Sequence, residues 1–485
     1  MRPQKLFARI AACSILFLSA TVLASADTIV LKNGRKIVAL SVTEEGDKIH
    51  YETSAGTLTL PKSIVDHIIK GVGGMPGSFA QAASDLAITP PALESIGIAS
   101  AGNEIEQGAV HDGSIDRTFI AKLEGDARSG GKAAGDSAAL AHHVAAQYEM
   151  AHGDMEHALS DERTALNFAP EQPVLLMNVA YLHLRRSEFK QSLEYLERAR
   201  RVAPDNPDVS KLAGWAYYGL NKIDQAVAEW KRALALRADP EVQAALDKAA
   251  KDKQEEESYK ENESAHFNLR YSGASEPALA REVLRTLEAH YGAIESELSF
   301  STPDSIGVIL YTQQAFSDIT NAPNWVGALN DGRIRVPVQG LTSMTPELSR
   351  VLRHELTHSF VQQKTHGQAP TWLQEGLAQW MEGKRSGDNA AALVKIYDAK
   401  QGASLGQLEG SWMHFPGNTA GYAYAWALAN VEAIVQTTGM GDIERVLEQI
   451  GAGQPTETAL RNVLHSDYND LMQSTAEYLR KNYVR

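Results

Sequence analysis

Two histidines and a glutamate lie within five consecutive residues, at His354, Glu355 and His358. On a helix, residues four apart lie on one face, so the two imidazoles can reach the same metal ion. Glu355 lies beside them and is not needed as a ligand. A carboxylate in that position can take a proton from a water molecule that the metal activates. The spacing therefore predicts a catalytic metal centre with Glu355 as general base.

The residues before this motif predict the helix that it needs. Thr345 is a preferred N-cap residue, and Pro346 suits the first helical position. Glu347 adds negative charge to the first turn, which favours the unpaired amides there. Apolar side chains lie roughly opposite the histidines and predict a core-facing side: Leu352, Leu356 and Phe360.

A second motif follows and supplies a third ligand. Thr371 and Gln374 fit a capping box that opens another helix, which places Glu375 in its first turns. Gly376 and Ala378 are small enough to let a further helix approach closely. Two imidazoles and one carboxylate leave an open position for water, which is the arrangement of a catalytic zinc rather than a structural one.

The two motifs, HELTH at 354–358 and PTWLQEGLA at 370–378, resemble those of the gluzincin clan of zinc metallopeptidases. The similarity is greatest to the peptidase MA-like domains of that clan. The resemblance implies an α+β catalytic domain at residues 265–485 that binds one zinc ion. It also implies the roles of four residues: His354, His358 and Glu375 as zinc ligands, and Glu355 as general base.

The chain departs from related families at three positions. A metzincin would have Gly at 361 and His at 364, where this chain has Val361 and Lys364. Thermolysin-like relatives place an Asp four residues after the ligand glutamate, as the hydrogen-bond partner of a histidine. This chain has Gln379 there, so the identity of that partner is open.

A tyrosine further along the chain is another catalytic candidate. Gluzincin relatives often carry a tyrosine in this part that donates a hydrogen bond to the developing oxyanion; Tyr424 matches best and Tyr422 second. Aromatic residues at helical spacing are also common in cores, so core packing is the competing interpretation. His366 and His414 are interpreted as structural or surface residues, because three ligands are already assigned.

A 34-residue period runs through residues 136–250 and resembles three tetratricopeptide repeats. Small residues recur at that spacing, in three sets: Ala146, Ala180 and Gly214; Ala158, Ser192 and Ala226; Ala165, Ala199 and Ala233. Such repeats predict an α-helical array with a concave surface for a peptide or a partner protein. The competing interpretation is a spacer packed against the catalytic domain.

The N-terminal part predicts an exported chain with a small β module. Residues 1–26 have the basic start, apolar run and small-residue end of a secretory signal, and contain the only cysteine, Cys13. Residues 27–70 alternate like short strands, with turns that include Asn33-Gly34, and predict an SH3-like barrel that either binds a ligand or is a folded appendage. Residues 71–135 are rich in Gly, Ala and Ser and predict a linker.

The charged residues 251–264 predict a second linker, so that a fragment beginning at Ala265 should fold and act alone. In the catalytic region, residues 332–338 alternate like a strand. Pro337 predicts an edge strand, because proline cannot donate to a ladder. Such an edge could pair with an extended substrate, or it could be covered by a loop.

Composition excludes two classes of protein. The formal charge of −14 argues against a nucleic-acid partner, and after the signal segment no apolar run is long enough to span a membrane. The sequence therefore predicts a multidomain, periplasmic zinc metallopeptidase that hydrolyses peptides or proteins. The alternative is a non-catalytic interaction protein that acts through its repeats.

Overall fold

The computed structural model of the 485-residue chain describes residues from 26 to 484. The described ranges are 26–32, 36–39, 41–53, 56–73, 103–272, 277–312, 315–316, 328–338, 341–412, 415 and 417–484. Three predicted features lie outside them: the signal segment up to residue 25, the turn at Asn33-Gly34, and His414.

The first described unit is rich in strands, as the alternating pattern predicted. Its strands are β1 Ala26–Leu31, β2 Lys36–Ala39, β3 Ser41–Glu45, β4 Lys48–Thr53, β5 Gly56–Pro61 and β6 Val65–Gly73. They pair antiparallel in two three-stranded sheets with the orders β2-β1-β6 and β3-β4-β5. Ile29, Ile49, Tyr51 and Val65 are buried between them and form a small core.

Much of the predicted linker 71–135 is folded. Its elements are α1 Asn103–Ala109, β7 Val110–His111, β8 Ser114–Ile115 and α2 Arg117–Ala127. Gly108 has no side chain, which admits the ring of Phe119; a Cβ there would lie 2.4 Å from a ring carbon. Ile120 and Phe119 belong to a second small core, separate from that of the strands. The linker prediction was wrong from residue 103 onwards, because small residues that suggested a flexible chain allow these short helices to pack closely.

Three helix pairs and a closing helix form an array, as the 34-residue period predicted. The pairs are α3 Gly131–Ala151 with α4 Met155–Phe168, α5 Pro173–Arg185 with α6 Phe189–Val202, and α7 Pro207–Gly219 with α8 Ile223–Leu236, closed by α9 Pro240–Glu256. A Cβ on Gly214 would lie 2.2 Å from Nε1 of Trp230, so this crossing requires a glycine in the third repeat.

The C-terminal region combines one sheet with eight α-helices among the described residues. The strands are β9 Lys260–Glu263, β10 Phe267–Tyr271, β11 Ile306–Tyr311, β12 Leu329–Asn330 and β13 Arg333–Pro337. The helices are α10 Pro277–Leu298, α11 Pro346–Lys364, α12 Thr371–Met381, α13 Ala390–Asp398, α14 Gly417–Thr437, α15 Met440–Gly451, α16 Thr456–Leu464 and α17 Tyr468–Tyr483. Short 3-10 turns occur at Lys62–Ile64, Ser386–Asp388 and Leu405–Leu408. Among the helices described, none is both long and apolar enough to cross a membrane.

Strand β13 is not the edge strand that Pro337 predicted. The sheet order is β12-β13-β11-β10-β9, so β13 pairs in parallel with β11 on one side and antiparallel with β12 on the other. All five residues of β13 are buried. Pro337 is tolerated because the antiparallel partner reaches only as far as Arg335, so proline lies beyond the end of that ladder.

The charged segment 251–264 is not a linker either. It contains the last residues of α9 and the whole of β9, which pairs with β10 in the sheet of the C-terminal region. Asp252 and Glu256 are buried and bind Arg333 and Arg335 of β13. A fragment beginning at Ala265 would leave both arginines buried without these carboxylates, so the structure contradicts the predicted separation there.

Candidate metal centre and active site

Helix α11 presents the first motif, and its start is as predicted. Thr345 is the N-cap residue; its side chain accepts a hydrogen bond from the amide of Leu348 at 3.0 Å, and Pro346 is the first helical residue. The apolar side is fully buried in the main core of the C-terminal region: Leu352, Leu356 and Phe360. This packing fixes the direction in which His354 and His358 point.

Helix α12 brings Glu375 to the same place, although it does not begin with the predicted capping box. Pro370 is the N-cap residue, and the Thr371 hydroxyl donates to the carbonyl of Glu409 at 2.9 Å. A Cβ on Gly376 would lie 2.4 Å from the carbonyl oxygen of Ala427 in α14. Gly376 therefore admits α14, as its small size predicted.

The three predicted ligands form a compact buried group. One donor atom from each of His354, His358 and Glu375 lies within 4.8 Å of the others. Nε2 of His354 lies 3.5 Å from one carboxylate oxygen of Glu375, and Nε2 of His358 lies 3.8 Å from the other. Within the described part of the chain, this is the only group of three or more such side chains with metal-binding spacing.

His358 has the character of a neutral metal ligand. Burial lowers its pKa well below the usual value, with the nearby charge of His354 as a second cause. Neither of its ring nitrogens has a hydrogen-bond partner within the described residues, although both are buried. Buried polar atoms without partners are rare in folded proteins, and a metal ion would satisfy the lone pair of one of them.

The carboxylate of Glu382, which the sequence motifs did not indicate, lies against the ring of His354. Nδ1 of His354 lies 3.2 Å from Oε1 of Glu382, whose carboxylate also pairs with Lys384 at 2.8 Å. Burial opposes a charge on His354, but the carboxylates of Glu382 and Glu375 outweigh it and raise its pKa to about 10. Metal binding at this imidazole would therefore release a proton.

Glu382, rather than Gln379, is the hydrogen-bond partner of a ligand histidine. Gln379 is buried, and its amide donates to the backbone carbonyls of Glu375 at 3.1 Å and Tyr424 at 3.0 Å. The carboxylate that faces the histidine instead lies seven residues after Glu375, which is two helical turns away on the same face. That spacing is the sequence signal that could have identified Glu382.

Glu355 is fully buried beside the ligands, on a helix that β12 holds in place. The side-chain amide of Asn330 donates to the backbone carbonyl of Glu355 at 2.8 Å and to the hydroxyl of Ser359 at 2.7 Å. Its own carbonyl oxygen accepts from the amide of Gly332 at 3.1 Å. Asn330 is thus a second positioning residue that the sequence motifs did not indicate.

The two candidate tyrosines differ in their surroundings. Burial raises the pKa of Tyr424 well above its usual value, and the charges of Glu375 and Glu355 raise it further, so its phenol is close to both carboxylates. Burial alone raises the pKa of Tyr422 to about 12; its ring stacks on Trp426 with centroids 6.2 Å apart. Of the two, only Tyr424 lies in the electrostatic field of the site.

His366 is not part of the ligand group. It follows the end of α11 with a φ of 51°, and burial together with the charge of Arg186 lowers its pKa. The predicted role of His366 in structure rather than in metal binding is consistent with this position.

The chain resembles two known families over separate ranges. Residues 296–481 match the peptidase MA superfamily, and residues 183–249 match the tetratricopeptide repeat family. No curated protein matches the chain. One similar solved structure is described as the first TPR of Spaghetti bound to an HSP90 peptide; it is 20% identical, with a TM-score of 0.24, over 24% of this chain and 93% of that one. This protein therefore carries a peptidase MA superfamily domain preceded by tetratricopeptide repeats.

Proposed function

We propose that the protein is a zinc-dependent metallopeptidase that hydrolyses peptide bonds in peptides or proteins. The observation that carries this proposal is the buried group of His354, His358 and Glu375, with Glu355 one residue from the first ligand. Two imidazoles and one carboxylate are a donor set of catalytic zinc sites, which keep a further position for water or substrate.

Each residue of the site has a separate chemical duty in this proposal. A zinc ion bound there would lower the pKa of water towards neutrality and polarise the scissile carbonyl. Glu355 accepts the proton of the attacking water and delivers it to the leaving amine. Tyr424 keeps its phenolic proton at neutral pH, because burial raises its pKa, and donates a hydrogen bond to the developing oxyanion. Glu382 orients His354.

The rival proposal is a non-catalytic protein that acts through its repeats, and the match of residues 183–249 to the tetratricopeptide repeat family supports it. The two proposals differ in what they require of Glu355. An interaction protein would tolerate any residue of similar size there, whereas a peptidase requires its carboxylate.

The experiment compares Glu355→Gln with Glu375→Ala. We expect Glu355→Gln to keep its zinc while hydrolysis of an unstructured peptide library falls by roughly 10²–10⁴-fold, because only the general base is lost. Glu375→Ala should lose both zinc and activity, because two imidazoles alone hold zinc poorly. Elemental analysis and hydrolysis are measured on the same folded samples.

Glu347→Gln is the matched control, since it makes the same substitution in the first turn of the same helix, at a partly exposed side chain. It should leave zinc content and hydrolysis unchanged. Unimpaired hydrolysis by Glu355→Gln would overturn the peptidase proposal, and full zinc content in Glu375→Ala would assign the third ligand to another residue.

The proposed place of action is the periplasm, and the signal-like residues 1–26 support it. Cell fractionation of the full-length chain should recover a product shortened at its N-terminus in the periplasmic fraction. Recovery of the uncleaved chain from the cytoplasm would contradict this part of the proposal.

A further inference from the structure

Three equivalent turns of the repeat array lie at the same point of each repeat. The turn between the two helices of a repeat has a residue with positive φ at Gly153, Ser187 and Asn221, with values of 82°, 59° and 58°. These residues are 34 positions apart, so the array carries one turn geometry three times. All three turns lie next to the catalytic region.

The first two turns contact the catalytic region through backbone atoms of the array. A Cβ on Gly453, in the turn after α15, would lie 2.3 Å from the carbonyl oxygen of Gly153. In the second repeat, Oδ2 of Asp304 accepts hydrogen bonds from the amides of Phe189 at 2.8 Å and Lys190 at 3.3 Å. A side chain from the catalytic region thus caps helix α6 of the array.

The third turn adjoins β13. The side chain of Asn221 donates to Asn268 at 3.2 Å and accepts from Nη1 of Arg333 at 3.1 Å. The array therefore touches the catalytic region along its whole length, at one side of every repeat.

The closing helix α9 makes the strongest connection, through a group that we name the ion cluster: Lys248, Asp252, Glu256, Asp331, Arg333 and Arg335. Asp252 accepts from both terminal nitrogens of Arg335 at 3.0 Å, and Glu256 accepts from Arg333 at 3.0 Å. Three of its members come from the array and three from the β12–β13 hairpin, and three cations face three carboxylates. Ion pairs that are this buried hold their partners in one geometry, because separating them would leave a charge without a counter-ion.

The ion cluster is connected to helix α11, which carries Glu355, through Asp331 and its neighbour Asn330. Asp331 accepts from Nζ of Lys248 at 2.8 Å and from Nε of Arg335 at 2.9 Å, so it is bound both to the array and to β13. Its neighbour Asn330 donates to the backbone carbonyl of Glu355 at 2.8 Å. The salt bridge to the array and the hydrogen bond to α11 therefore come from two adjacent residues.

The inner helix of the middle repeat has no exposed face over most of its length. All ten residues from 175 to 184 are at most 3% exposed, on every side of α5. A helix that serves mainly as a binding platform for a partner would expose one face. This burial favours a role of the repeats within the molecule.

We propose that the repeat array acts as an intramolecular brace of the active site: α9 fixes the β12–β13 hairpin through the ion cluster, and Asn330 on that hairpin positions the backbone of Glu355. The brace rests on the proposed function only in its effect on hydrolysis. Its effect on the order of α11 is independent of any activity.

The experiment uses the full chain and measures amide hydrogen exchange in residues 329–337 and 353–360, together with kcat and KM. Lys248→Met removes one salt bridge of the ion cluster, and Asn330→Ala removes the hydrogen bond to α11. We expect exchange in residues 353–360 to become at least ~10-fold faster in both variants. We also expect kcat to fall about tenfold, with KM within a factor of about two, because a displaced base slows the chemical step more than it weakens binding.

The two variants test whether the effect runs from α9 through the β12–β13 hairpin to α11. Lys248→Met should loosen the hairpin as well as α11, whereas Asn330→Ala should loosen α11 and leave exchange in α9 unchanged. Lys253→Met is the matched control: it removes the exposed ion pair of α9 with Asp224 and should change nothing.

Wild-type exchange in residues 353–360 in both Lys248→Met and Asn330→Ala would overturn the brace. If the wild-type protein hydrolyses no peptide but the variants still loosen α11, the proposed function fails and the brace stands. If hydrolysis is normal and both variants behave like Lys253→Met, the brace fails and the proposed function stands.

Discussion

The ion cluster and the candidate metal centre are both buried groups of charged side chains, and they differ in how completely their polar atoms are matched. In the ion cluster, each carboxylate accepts from at least two donors; Asp252, for instance, binds two arginines and Tyr218. Nε of Arg333 is the one buried nitrogen of this cluster without a hydrogen-bond partner among the described residues. In the candidate metal centre, both ring nitrogens of the buried His358 have no hydrogen-bond partner among the described residues.

This difference separates a structural group from a functional one. Leaving a buried polar atom without a partner costs stability, so a protein retains such an atom where a ligand or a reaction needs it. Balanced charges such as those of the ion cluster need no ligand. The degree of matching, rather than burial or charge alone, distinguishes the two groups.

The first prediction compares one carboxylate from each group by its effect on folding. Asp252→Asn should lower the free energy of unfolding by about 3–5 kcal/mol, because it leaves buried arginines without a counter-ion. Glu355→Gln should change it by less than about 1 kcal/mol, because catalytic carboxylates are kept for chemistry rather than for stability. Urea unfolding of both variants, measured with a chelator present, checks this. Equal losses of stability in the two variants would show that the groups do not differ as described.

The second prediction tests whether Tyr424 belongs to the reactive group. Tyr424→Phe should keep its zinc while kcat falls by roughly 10²–10³-fold, as when an oxyanion donor is removed. Tyr422→Phe removes the same hydroxyl two residues earlier, where no carboxylate affects the pKa, and should retain nearly full kcat. Similar kcat values in the two variants would identify Tyr424 as a core residue.

The third prediction concerns the stability of the protein at acid pH. Burial opposes the charge of Asp331, but Arg335, Lys248 and Arg333 outweigh it and lower its pKa below the usual value. The ionised form therefore contributes stability above about pH 4, and this contribution is lost as the pH falls through the lowered pKa. Asp331→Asn should lose roughly 1 kcal/mol less between pH 6 and pH 3 than the wild type, measured by urea unfolding with a chelator present. Parallel losses would show that Asp331 is not held ionised by these partners.

The sequence was sufficient to predict that His354, His358 and Glu375 lie together, because its signals are local. His354 and His358 are one helical turn apart, and an N-cap at Thr345 fixes the helix that carries them. Glu375 is further away, but its own motif marked it. Glu382 was missed because its one sequence signal, the two-turn spacing from Glu375, is shared by exposed carboxylates and became informative only when the fold placed Glu382 beside His354.

The ion cluster could not be predicted because its pairs are far apart in sequence. Arg335 meets Asp252 across 83 residues, and no spacing rule relates them. The charged run at 251–264 resembled a solvated linker, because the same residue types occur in solvated linkers and in buried ion pairs. Pro337 similarly indicated an edge strand, although the true edge is the two-residue strand β12, which is too short to show any periodicity.

The most direct test of the central claim, that the buried group of His354, His358 and Glu375 is a zinc site, is the zinc content of the purified full chain. We expect one zinc per chain in the wild type and in Glu355→Gln, and close to none in His358→Ala, after dialysis against a weak chelator. Lys253→Met should match the wild type. Full occupancy in His358→Ala, or no zinc in a folded wild-type protein supplied with the metal, would contradict the account.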